Sequence, residues 1–178
     1  MLRTNFISPT LSGARNTISN TGVEDGLKSR PLGVDAAVYA GTALLMTAGL
    51  VHLWMMPGHF GDWWVYGAFY LGAALVQGLF GVALLRWPGQ RLAFSGVWIN
   101  LGIVFVYLLS RTSGLPVGPH AGVAEEAGAL DMVATASEVA VIVLLVSMLS
   151  GAYRRFAVNA LLVLGLALWS LRLSGIVY

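Results

Sequence analysis

His52-Leu-Trp-Met-Met-Pro-Gly-His59-Phe-Gly-Asp62-Trp-Trp64 is the stretch on which the reading of the fold turns. An apolar run reaches it from about residue 35, and a second one leaves it from about residue 63. Pro57-Gly58 reads as the turn between them, because proline removes a helical N–H and glycine accepts turn geometries. Trp54, Phe60, Trp63, Trp64 and Tyr66 crowd around that turn. Trp and Tyr gather where hydrocarbon meets water, since their rings are apolar and their N–H or O–H seeks a wet partner. The stretch therefore reads as a reversal between two spans at a bilayer surface.

Working outward, apolar runs cover about residues 35–56, 63–86, 92–110, 130–150 and 156–177. Each approaches or exceeds the roughly 20 residues a helix needs to cross the hydrocarbon. None alternates with period two, as a membrane barrel strand does, and helix is the other way to satisfy every backbone group in lipid. Composition agrees: 57% of residues are hydrophobic and 10% charged, with a mean hydropathy of +0.78. Soluble domains carry about 25% charged residues. The predicted fold class is all-α, an integral membrane bundle of five transmembrane helices formed by residues 34–178, with lipid as its main partner. The 22 glycines suit close helix contact in lipid. The chain has no cysteine, which excludes disulfides, iron–sulfur clusters and thiolate metal sites. A net charge of +2 with no basic patch argues against a nucleic-acid partner.

Residues 1–33 form a polar segment rich in Ser, Thr, Asn and Gly, with Arg3, Arg15, Lys28 and Arg30 against Glu24 and Asp25. No continuous apolar core follows the first charges, so a cleaved signal peptide is not expected. Two readings stay open: a cytoplasmic tail without fixed structure, or a segment docking on a partner subunit. The connections then give orientation. Arg86 and Arg91 flank the second, and Arg154 and Arg155 occupy the fourth. The first and third hold Arg111 against Asp62, Glu125 and Glu126. Basic segments face the cytoplasm, which places the N-terminus inside and the C-terminus outside, in the cell's inner or plasma membrane.

That topology gathers most ionisable groups toward the outer side. Glu138 is the residue to single out. It lies about 12 Å along the fourth helix from Leu130, at roughly 1.5 Å per residue. A carboxylate in that position costs at least about 2.5–3.5 kcal/mol unless it faces a partner inside the bundle. Asp131, Thr135 and Glu138 share one helix face by their spacing of four and three. Arg172, on the fifth helix, is the expected partner of Glu138, and Arg111 completes the polar cluster. The pair reads either as an interhelical clamp or as part of a proton-handling, ion-handling or metal site.

His52, His59, Met55 and Met56 offer imidazole and thioether donors that suit copper, while also fitting an ordinary interfacial role. His52 and His59 would share a face only if the helix continued past Pro57. Gln77 and Asn100 read as hydrogen-bonding residues that help helices two and three pack. The connection from Arg111 to Glu126 carries prolines and glycines that rule out regular helix, and connections of that length are more often functional than filler. No G-x-S-x-G, H-E-x-x-H, P-loop or G-x-G-x-x-G pattern appears, so no catalytic residue is assigned.

His52-x-x-x-x-Pro57-x-His59-Phe60-x-x-Trp63-Trp64, then Ser110-Arg111-Thr-x-Gly114-x-Pro116-x-Gly118-Pro119, then Asp131-x-x-x-Thr135-x-x-Glu138 form a combination over roughly residues 40–150. It resembles a family of uncharacterised small multi-pass membrane proteins of bacteria. The resemblance implies that these residues converge on the outer side, and it brings no activity with it. Two functions follow as expectations. The first is a non-catalytic accessory subunit of a larger electron-transfer or light-driven membrane complex. The alternative is a protein that binds copper or a small quinone-like ligand under the 111–129 loop.

Overall fold

The computed structural model describes residues 32–173. Five helices make it up: α1 (Leu32–Asp62), α2 (Trp64–Arg86), α3 (Gln90–Thr112), α4 (Ala129–Met148) and α5 (Gly151–Leu173). There is no strand among the described residues. All five helices are long and apolar enough to cross a membrane, so the chain is a multi-pass membrane protein. The docking expectation for residues 1–33 lies outside the described residues, save for Leu32 and Gly33 at the start of α1.

Pro57-Gly58 corrects the sequence reading, because it is not a turn. The helix runs through Pro57 to Asp62, and the chain breaks at the single extended residue Trp63 (φ −166°, ψ 137°). Proline deletes one N–H donor, and that loss is small beside the bonds that continue past it. Trp63 N–H still donates to His59 O at 3.0 Å. The His59 side chain adds a second tie, from Nδ1 to Met55 O at 3.0 Å. Beyond the break, Gly67 N–H donates back to Trp63 O, which starts α2 at once. The reversal is tight because Gly67 faces the ring of Phe60, where a Cβ would have no room.

α1 packs most extensively on α2, then on α4, and α4 packs on α3. Around the bundle the order is therefore α2, α1, α4, α3. Small residues set the closest approach: a Cβ on Gly49 of α1 would sit 3.2 Å from Ala74 O of α2. In the sequence, Pro88-Gly89 reads as a tight turn that makes α2 and α3 antiparallel neighbours, and here the fold departs from that expectation. They meet near their own turn, where Gly96 leaves space for the Phe80 ring, and otherwise touch little.

The two ends of the bundle differ. Toward the Pro88–Gly89 turn the interior is mostly apolar, with Leu45, Leu84, Val97, Val141 and Leu145 fully buried and the Thr42 hydroxyl bonded to Gly81 O. Toward the 113–128 loop the buried set turns polar: His52, Gln77, Ser110, Asp131 and Glu138. α5 leans on α3 and α4 through its first turns, where Phe156 and Tyr153 meet Trp98 and Phe94 edge-on. Further along, Leu162, Val163, Leu166 and Trp169 are exposed.

Candidate functional site

At the loop end the helices enclose a cavity of about 220 Å³. α1 contributes His52, Met55 and His59, which lie on one wall because the helix is continuous and seven residues make two turns. α4 contributes Asp131, Thr135 and Glu138, the face expected from their spacing. α2 and α3 supply aromatic and aliphatic surface, chiefly Tyr66, Phe69, Tyr70 and Tyr107.

Two polar networks flank the space. In the deeper one, Gln77 Nε2 donates to Glu138 Oε1 at 2.8 Å. Gln77 Oε1 lies 3.1 Å from His52 Nδ1, and Ala48 O lies 2.8 Å from the same nitrogen. Both oxygens can only accept, so Nδ1 carries the proton. His52 Nε2 then faces Glu138 Oε1 at 3.7 Å. With Nδ1 protonated, a neutral His52 presents a lone pair toward the carboxylate, and at 3.7 Å the two groups are neighbours without a hydrogen bond. The network covers most of what the sequence demanded of Glu138, whose side chain is 2% exposed. Its cost of burial is offset by the hydrogen bond from Gln77 on α2.

The second network closes the cavity on the loop side. Arg111 donates to Asp131 Oδ2 from Nη2 at 2.6 Å and to Glu125 from Nη1. Asp131 also accepts the Gly128 N–H at 3.0 Å, which caps the start of α4. The Arg111 guanidinium lies 5.3 Å from the centre of the Tyr107 ring. The loop itself is bonded down: Glu125 N–H donates to Ser110 O, Gly122 N–H to Leu115 O, and the Tyr66 hydroxyl to Val117 O at 2.9 Å. Its long connection is thus a lid with its own internal bonds.

Between the networks, His59 stacks on Tyr70 with ring centroids 3.8 Å apart. Its Nδ1 is spent on Met55 O, which leaves Nε2 as the acceptor nitrogen.

The sequence-derived cluster Asp131, Thr135, Glu138, Arg111 and Arg172 is therefore split. Arg111 joins Asp131, and Glu138 joins Gln77 and His52. The side chain of Arg172 lies outside the described residues. Gln77, read as packing glue, ties Glu138 to His52 instead. Asn100 does not reach across to α2; it donates to Gly96 O within its own helix, and its Oδ1 is buried without a partner. Of the candidate copper donors, His52, His59 and Met55 line the cavity, while Met56 is not among its lining residues. Among the described residues no group of three or more His, Cys, Asp or Glu converges as a metal site. Tyr70 and Tyr107 are site residues that sequence reasoning passed over. Their hydroxyls inside apolar runs were the available signal.

Comparison of the chain with protein-family models, with curated proteins and with solved structures gave no match.

Proposed function

We propose that this protein binds a small, flat, partly polar molecule, quinone-like in character, in the cavity under the 113–128 loop. The observation that carries the reading is the lining: aromatic and aliphatic walls with a few convergent polar groups, His59, Thr135 and the Glu138–His52 pair among them. Ligand sites have that mixture, because apolar surface supplies affinity and a few polar groups fix orientation. A ring slid against His59 and Tyr70 would stack, and its carbonyl oxygen would accept from the Thr135 hydroxyl. A hydroxyl on the reduced ring would donate to His59 Nε2. The distribution of basic residues supports an outer-side position for this cavity, with a cell inner or plasma membrane as the proposed location. No bond making or breaking is assigned to it.

The test is equilibrium binding of 2,3-dimethoxy-5-methyl-1,4-benzoquinone, and separately of Cu(I), to the purified protein in detergent. Stoichiometric quinone binding, weakened at least tenfold by His59→Ala, which removes the stacking ring, and by Thr135→Val, which removes the donor, is the expected result. Quinone binding that ignores both substitutions, or its absence, would overturn the reading. Stoichiometric Cu(I) binding lost on His52→Ala would replace it with the copper alternative.

The accessory-subunit reading is favoured by a different observation. α5 contributes little to the bundle and leaves Leu162, Val163, Leu166 and Trp169 exposed. That surface suits another membrane subunit as well as lipid. Affinity purification in mild detergent that returns one stoichiometric membrane partner would support this reading, and the chain emerging alone would count against it.

A further inference from the structure

Among the described residues the cavity is closed on three sides and open on the fourth. In the order α2, α1, α4, α3, three adjacent pairs pack, while α2 and α3 make little contact. Yet these two helices supply much of the lining, through Val65, Phe69, Val106 and Tyr107. Phe69 lines the space and still exposes 37% of its surface, so it stands where the cavity reaches the outside of the bundle. α5 does not cover this seam, since it packs on α3 and α4.

The other directions are shut. The lid is bonded to α2 through Tyr66 and Val117, and to α3 through Ser110 and Glu125. Arg111 ties it further by pairing with Glu125 of the lid and Asp131 of α4. Below, Gln77, Glu138 and His52 form a bonded floor, and Phe80 fills the space against Gly96. α2 and α3 are membrane spans, so the open seam faces hydrocarbon rather than water. A volume of about 220 Å³ accommodates a ring-sized head and no long chain.

We infer that the ligand is lipid-borne: a flat, quinone-like, hydrogen-bonding head lodged in the cavity, with a hydrocarbon tail leaving between α2 and α3. This rests on the binding reading above and specifies its ligand class. The head exchanges lipid for stacking and hydrogen bonds, and the tail remains in the hydrocarbon throughout. Loading then requires no opening of the lid.

The test is photo-crosslinking of the full chain in lipid vesicles. The probe is a benzoquinone head whose alkyl tail carries a diazirine on its first few carbons. The competitor is 2,3-dimethoxy-5-methyl-1,4-benzoquinone, which has the same head without the tail. The expected result is adducts concentrated on the facing residues of α2 and α3 around Phe69 and Val106, reduced at least tenfold by the competitor. Competitor-sensitive adducts on the 113–128 loop, or at the α1–α4 seam, would overturn the tail route and leave the binding reading standing. Adducts that the competitor does not reduce would overturn the binding reading, and this inference with it.

Discussion

Gln77 shows how a residue's neighbours decide its role. As a lone amide in an apolar run it reads as general packing glue, worth about 0.6 kcal/mol in a typical membrane helix pair. In the fold it is fully buried and bonded at both ends, to an acid on α4 and an imidazole on α1. Replacing it with Leu leaves Glu138 and His52 without a partner that both had been using. We expect Gln77→Leu to cost about 1–3 kcal/mol, the penalty of stranding buried polar groups. A double-mutant cycle with Glu138→Leu should return a coupling of about 0.5–2 kcal/mol by reversible unfolding in detergent. Additive effects would mean that the hydrogen bond contributes nothing and that Glu138 is satisfied elsewhere.

The elements show where local rules gave way. Proline was read as ending α1, but the helix continues because the lost bond is one among many and His59 adds a side-chain tie. That continuation brings His59 onto the wall shared with His52. The lid depends on backbone geometry in a different way. Gly114 holds φ +75°, and a Cβ there would strike the backbone of Gly122 and Val123. Gly114→Ala combines a left-handed conformation with that clash and should weaken the lid by about 1–3 kcal/mol. The measurement is limited proteolysis: cleavage within residues 113–128 should accelerate at least tenfold, with little change in global melting. An unchanged cleavage rate would show that the lid is not held by this turn.

At the scale of the whole molecule, an apolar half and a polar, hollow half share one bundle. Sidedness belongs to this scale, and the absence of cysteine makes it simple to measure. Under the positive-inside rule, Ser113→Cys should react with a membrane-impermeant maleimide on intact cells, and Gln90→Cys only after permeabilisation. The reverse pattern would invert the topology and place the cavity on the cytoplasmic side. The internal geometry of the site would be the same in either case.

The number of spans, the helical class and the face shared by Asp131, Thr135 and Glu138 were legible in the residues alone. They depend on run length, hydropathy and helical period, which are local properties of the chain. The closeness of Gln77, His52 and Glu138, the pairing of Arg111 with Asp131, and the seam between α2 and α3 were decided only by tertiary structure. Each depends on the order in which helices pack around the bundle, and hydropathy fixes which residues enter the membrane without fixing which helix stands beside which.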